Sequence, residues 1–146
     1  MAIKFKLQAV LKYRKTLEEQ AQQKLAEVLN VQAELRRRQG EANGHLSALS
    51  GQLLQKQELG LSILELLLYE DQIEHHRQQC EKLQQQLEEL EGLLDASRQE
   101  LLVAARERKI IEKLKEKQLE EYLSHLDRNE RKMLDEISLR QKGVAE

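Results

Sequence analysis

The chain has 146 residues, enough for one domain, but its composition argues against a compact globule. Aromatic residues contribute 3%, charged residues contribute 34% and proline is absent, which is typical of long helices with a narrow leucine core. The formal net charge is −2, and the only cysteine, Cys80, cannot form an intrachain disulfide, so nothing indicates an oxidising compartment.

The first helix is predicted to span residues 3–55. Its apolar residues recur at steps of mostly three, four or seven, the pattern of a coiled-coil stripe. One extra step of four, between Ala21 and Leu25, predicts a stutter that locally relaxes the supercoil. The stripe consists of Ile3, Leu7, Val10, Leu17, Ala21, Leu25, Val28 and Leu35.

A turn is predicted at about residues 51–61. Four glycines precede or enter it, and each costs a helix interior about 1 kcal/mol relative to alanine. Ser62 and Glu65 have the spacing of a capping box, which makes Ser62 the expected N-cap of the second helix. An earlier break at Gly44 or Gly51 is the alternative that we consider. The glycines are Gly40, Gly44, Gly51 and Gly60.

The second helix is predicted to span residues 62–141, because it contains no proline and only Gly92 before Gly143. Alternating steps of three and four residues from Leu66 to Ile111 define a heptad seam. Such a seam is buried by supercoiling around another helix. Its 14 positions, 11 of them apolar, are Leu66, Tyr69, Ile73, His76, Cys80, Leu83, Leu87, Leu90, Leu94, Ser97, Leu101, Ala104, Arg108 and Ile111.

These elements predict an all-α fold in which residues 1–146 form a single antiparallel, intramolecular coiled-coil hairpin. With a turn near residue 60, the first helix runs out opposite residue 119 or so, and the second helix continues beyond it. Burial of a large apolar side chain gains about 1.5–3 kcal/mol, so we expect a partner to cover the remaining stripe. That stripe consists of Leu119, Tyr122, Leu123, Leu126, Met133, Leu134 and Ile137.

The chain is predicted to be a cytosolic, elongated monomer. Its longest apolar run, Leu61–Tyr69, contains Glu65 and falls far short of the roughly 20 residues that span a membrane. The lysines and arginines near Met1 interrupt any signal-peptide core. A homodimeric coiled coil is the alternative, and sedimentation distinguishes the two.

We predict no enzyme, no cofactor and no metal site. His76 and Cys80 lie one helical turn apart but provide two ligands, whereas structural zinc takes four. No phosphate-binding glycine motif occurs. Basic residues near the amino end and at residues 106–117 suggest nucleic acid as an alternative partner. Acidic residues interleave with the second group and stacking aromatics are scarce, which favours an acidic protein surface.

Several segments occur in a fixed order along the chain: Phe5-x-Leu7-x-x-Val10-Leu11-x-x-Arg14-Lys15, a long heptad arm, Arg106-x-Arg108-Lys109, Glu112-Lys113-Leu114-Lys115-Glu116-Lys117, Tyr122, and Glu130-x-Lys132-x-Leu134-Asp135-Glu136. Together these segments resemble the FliJ family of flagellar type III export proteins. The resemblance covers nearly the full length of the chain.

The resemblance implies a coiled-coil hairpin similar to the central stalk of rotary ATPases. Its joined termini would enter the hexameric export ATPase and promote its assembly. Such a protein would also contact the cytoplasmic part of the membrane export gate, escort empty export chaperones, and lie at the inner face of the membrane through these partners.

Two sets of residues are predicted to bind these partners. The ATPase-binding set consists of Lys4, Lys6, Leu7, Val10, Leu11, Arg14, Arg106, Arg108, Lys109, Lys113, Leu119, Tyr122, Leu126 and Met133. The gate-binding set consists of Leu66, Tyr69, Ile73, His76 and Cys80. Two other functions remain open: the stalk protein of a virulence type III secretion system, and a holdase that covers aggregation-prone export substrates.

Overall fold

Two α-helices make up the fold. The structure is a computed structural model that describes the backbone of residues 7–145 and the side chains of residues 7–143. Helix α1 spans Gln8–Leu59 and helix α2 spans Ile63–Ala145, with 52 and 83 residues. No strand occurs within the described range. The predicted all-α hairpin with a longer second helix is confirmed, whereas the predicted helix start at residue 3 lies outside the described residues.

The chain divides into two compact units. The turn unit is Gln20–Leu101, and the terminal unit combines Met1–Glu19 with Leu102–Glu146. In the turn unit the helices run antiparallel, as three cross-helix contacts show. Lys24 lies 3.1 Å from Glu100, Gln32 donates to Glu91 at 3.3 Å, and Gln39 donates to Gln84 at 2.6 Å.

The connection between the helices is three residues long. Gly60 has φ 100°, a backbone conformation that glycine adopts readily, and it follows the last helical residue, Leu59. Ser62 caps α2, because its Oγ accepts a hydrogen bond from the Glu65 backbone N–H at 3.2 Å. The predicted N-cap is therefore correct.

Helix α1 continues through Gly40, Gly44 and Gly51, so the alternative of an early break is wrong. Residues 51–59, which we assigned to the turn, are helical. The physical reason is packing: Leu49 and Leu53 are half-buried on either side of Gly51. Burial of such leucines offsets the roughly 1 kcal/mol that a helical glycine costs.

The predicted seam of α2 agrees with the observed burial. Every one of its positions from Leu66 to Ile111 is buried or half-buried. Leu94 and Ser97 are the most deeply buried, with 2% and 1% of their surfaces exposed. The seam therefore faces α1 within each unit, as the heptad pattern predicted.

The predicted stripe of α1 needs correction. Val10 is 36% exposed and Leu11 is 2% exposed, so the buried position is one residue later than we assigned. From Leu11 to Leu53 an unbroken alternation of three and four residues connects buried and half-buried positions, so the predicted stutter is absent; Leu17, Glu34 and Ser50 are half-buried beside this seam. Polar residues occupy several seam positions, which hid the pattern from a search for apolar residues. The seam consists of Leu11, Arg14, Glu18, Ala21, Leu25, Val28, Gln32, Leu35, Gln39, Ala42, Leu46, Leu49 and Leu53.

Candidate partner-binding surfaces

The terminal unit has a short shared core formed by the first turns of α1 and the middle of α2. Leu11 and Ala104 are 2% and 9% exposed. Arg14 pairs with Glu107, and Arg108 pairs with Glu18. In an antiparallel pair of helices, the numbers of facing residues have a nearly constant sum, and here that sum is 121 for one pair and 126 for the other. The same sums place Gln8, the start of α1, opposite about residues 113–118 of α2. Residues of α2 beyond that point have no described part of α1 opposite them.

Arg108 connects the two helices of this unit. It donates to Glu18 of α1 and, at 2.7 Å, to Glu112 one turn further along α2. Hydrogen bonding to Glu18 and then to Glu112 raises the pKa of the Arg108 guanidinium above its ordinary value. The Arg108 and Glu18 side chains are 21% and 15% exposed. Arg108, Arg14 and the buried Leu11 thus hold the unit together, although we predicted that they would contact a partner.

The overhang, which we define as residues 119–143, keeps its apolar stripe exposed. Leu119, Leu126 and Met133 are 46%, 42% and 65% exposed, and Tyr122 is half-buried. Leu123 and Ile137 are 55% and 50% exposed on the same side of the helix. The predicted uncovered stripe is therefore present in the terminal unit.

A basic face lies beside this stripe on α2. Its four members, Arg106, Lys109, Lys113 and Lys117, follow one another at steps of three and four, so they line one side of the helix, and all are exposed. Glu107 and Glu112, which interleave with them in sequence, instead pair with Arg14 and Arg108. Glu116, the third acidic residue of this stretch, is exposed and lies three residues after Lys113, so the face is mainly but not uniformly basic.

The remaining predicted ATPase-binding residues belong to the amino end. Leu7 and Val10 are 37% and 36% exposed. Lys4 and Lys6 lie outside the described residues.

The predicted gate-binding residues of the turn unit, Leu66, Tyr69, Ile73, His76 and Cys80, lie in one line along α2, and each is half-buried. His45 of α1 stacks on His76, with ring centroids 5.8 Å apart, and Lys56 Nζ lies 5.5 Å from the Tyr69 ring. These residues therefore contribute to packing within the hairpin and offer a partner only part of their surface.

A more exposed apolar surface surrounds the turn itself. Leu59, Ile63 and Leu64 are 87%, 79% and 70% exposed. Leu67 and Leu68 are 52% and 56% exposed. None of these five residues belongs to the predicted gate-binding set. The five residues lie next to Gly60 and the Ser62 cap, and none of them is a seam position of α1 or α2. The turn position and the seam spacing together could therefore have identified this surface from the sequence.

The described residues contain no group of three or more His, Cys, Asp or Glu arranged to hold a metal ion. Within the same part of the chain, no helix is both long and apolar enough to cross a bilayer.

Comparison with known proteins identifies the family. The family described as "Flagellar FliJ protein" matches residues 3–145, nearly the whole chain. No match was found among curated proteins or among solved structures. The matched residues include all of α1 and α2 as far as Ala145. This chain therefore belongs to the FliJ family, whose members are non-catalytic components of the flagellar protein export apparatus.

Proposed function

We propose that this chain acts as a stalk that binds the hexameric flagellar export ATPase through the overhang and promotes its assembly and activity. The observation that carries this proposal is the exposed apolar stripe of α2 beyond the point that faces Gln8, the start of α1. Leu119, Leu126 and Met133 lie on one face of a continuous helix, at a spacing typical of a coiled-coil strand. A helix with such a face gains stability when a groove of another protein covers it.

The basic face supports a ring with an acidic surface as the partner. Long-range attraction between opposite charges accelerates association and orients the two proteins before they dock. Arg106, Lys109 and Lys113 are exposed and adjacent along one side of α2, so they can act in this way. Leu11, Arg14 and Arg108 support the proposed binding indirectly, because they hold the first turns of α1 against α2.

The turn unit would contact the cytoplasmic part of the export gate. The predicted residues from Leu66 to Cys80 and the exposed leucines around the turn make up the surface available for this contact. The chain would thereby link the ATPase to the gate, receive export chaperones, and lie at the inner face of the membrane through its partners. The same architecture would serve a virulence secretion system, in which the partner is the corresponding ATPase.

To test this proposal, a stoichiometric amount of the chain is added to the purified export ATPase. Ring assembly is measured by sedimentation, and ATP turnover is measured separately. We expect both to rise. The variant Leu119→Ser/Leu126→Ser/Met133→Ser should lose at least nine-tenths of the stimulation, on the order of what a loss of about 1.4 kcal/mol in binding produces.

A matched control uses three exposed apolar residues on another face of the same unit. Val103, Ile110 and Leu139 are 50%, 59% and 69% exposed. Val103→Ser/Ile110→Ser/Leu139→Ser should keep the stimulation. Equal behaviour of the two triple variants would contradict the proposal. A holdase, in contrast, would leave ATP turnover unchanged and suppress aggregation of export substrates.

A further inference from the structure

The exposed stripe of the overhang contains one charged residue at a seam position. Alternating steps of four and three residues connect Leu119, Leu123, Leu126, Glu130, Met133 and Ile137, so Glu130 occupies the position where the heptad calls for an apolar side chain. Glu130 is exposed and forms no ion pair with any residue of the described chain. A protein that covers this stripe must therefore also cover the carboxylate of Glu130.

Long polar side chains at seam positions of both units meet a polar side chain of the opposite helix, whereas the small hydroxyl of Ser97 is buried without a hydrogen-bond partner. In the terminal unit Arg108 pairs with Glu18. In the turn unit Gln32 donates to Glu91 and Gln39 donates to Gln84. The physical reason is that burial of a charged or polar group costs free energy unless a partner compensates for the lost water.

A second copy of the chain provides no such compensation. In a parallel pair of overhangs, Glu130 would face Glu130 of the other copy. In the antiparallel pair that aligns the whole stripe from Leu119 to Ile137 with itself, facing residue numbers add up to 256, so Glu130 would face Leu126 of the other copy. Both of these stripe-on-stripe arrangements leave two carboxylates without a facing cation, which favours a different protein over a second copy as the partner that covers the stripe.

We propose that the surface that receives the overhang is an apolar helical groove with one arginine or lysine opposite Glu130, and that this ion pair sets the register of the overhang. A single polar residue in an apolar seam is known to select register and partner at some cost in affinity. This inference rests on the proposed function, in which the groove belongs to the export ATPase, and it adds the residue that determines specificity.

The test measures binding of the purified export ATPase to the wild-type chain, to Glu130→Leu and to Glu130→Gln. Both variants should bind at least about tenfold more weakly, because the cation of the groove loses its partner. Glu121→Leu is the matched control: Glu121 is exposed on another face, so its replacement should change binding less than about twofold. Circular dichroism should show the same helix content for all four proteins.

Equal or tighter binding by Glu130→Leu would overturn the inference, because an apolar groove without a cation prefers leucine there. That result would leave the proposed function intact, since the wild-type chain would still bind. Absence of binding by the wild-type chain would contradict both the proposed function and this inference. Sedimentation of the chain alone provides a second measurement, in which a wild-type dimer that Leu126→Ser abolishes would identify a second copy as the occupant and refute the inference.

Discussion

Arg108 of α2 and Glu18 of α1 occupy seam positions of opposite helices and form an ion pair in the interior of the terminal unit. An apolar residue is usual at such positions, and the pair fixes the register in which the first turns of α1 pack against α2. The register in turn determines which residues of α2 lie opposite Gln8, the start of α1, and therefore where the overhang begins. The same principle underlies the role that we assign to Glu130.

The first prediction concerns this ion pair. Arg108→Leu alone should lower the thermal midpoint of unfolding, because it leaves the carboxylate of Glu18 partly buried without its main partner. The double variant Arg108→Leu/Glu18→Leu should recover most of the loss, since an apolar pair replaces the ionic one. Thermal unfolding by circular dichroism measures both. A double variant no more stable than the single one would show that Glu18 and Arg108 do not act as a pair.

The second prediction compares two glycines to which alanine adds no clash. A Cβ at Gly60 or at Gly51 meets nothing within 4 Å. Gly60→Ala should lower the free energy of unfolding by about 1–2 kcal/mol, because φ 100° is unfavourable for alanine. Gly51→Ala should raise it by about 0.5–1 kcal/mol, because the residue is helical. Urea unfolding gives both values, and changes of the same sign would contradict the assigned turn.

The two helical seams differ in how clearly the sequence predicts them. The seam of α2 follows from spacing alone, because nearly all of its residues are apolar. The seam of α1 does not, since Arg14, Glu18 and Gln32 look like solvent-facing residues until Glu107, Arg108 and Glu91 are known to lie opposite. The turn was placed too broadly because propensity disfavours Gly51 in a helix, whereas burial of Leu49 and Leu53 outweighs that local preference.

The candidate site was predictable to a similar extent. The uncovered stripe after residue 119 follows from unequal helix lengths. The internal use of Arg14 and Arg108 does not, because a basic residue that pairs across a hairpin has the same sequence signature as one that awaits a partner. The spacing of residues likewise does not show how exposed each side chain is, so the exposed Leu59 and Ile63 are absent from the predicted gate-binding set.

The third prediction concerns acid titration of Glu34. Hydrogen bonds from Arg37, at 2.7 Å and 3.0 Å, and from Arg38, at 3.2 Å, lower the pKa of the Glu34 carboxyl from 4.5 to about 2. Because the folded-state pKa is the lower one, the stabilisation is present above about pH 4.5 and disappears as the pH falls through about 2.

Titration of the Glu34 side-chain carbon by nuclear magnetic resonance should give a midpoint near 2 in the folded chain and near 4.5 in urea. Glu34→Gln should reduce stability slightly at neutral pH and leave it unchanged below pH 2. High salt should weaken the effect, since the cluster is largely exposed. A folded-state midpoint near 4.5 would show that the cluster does not form.

The fourth prediction concerns the basic face. Lys109→Glu/Lys113→Glu should slow association with the export ATPase by about tenfold or more at low salt, and the difference should shrink at high salt. Arg36→Glu/Lys82→Glu, on the turn unit, makes the same change in net charge at exposed positions and should have a much smaller effect. Stopped-flow fluorescence measures the association rate. Similar slowing by both variants would indicate a response to net charge alone.

The claim on which the account depends is that the stripe of the overhang is uncovered in the isolated chain and covered by the export ATPase. Amide hydrogen exchange, followed by peptide with and without the purified ATPase, tests it directly. We expect residues 66–111 to exchange slowly in both samples. Residues 119–137 should exchange quickly alone and slow by at least about tenfold when the ATPase is added. Binding of the ATPase with no change in residues 119–137 would contradict the claim.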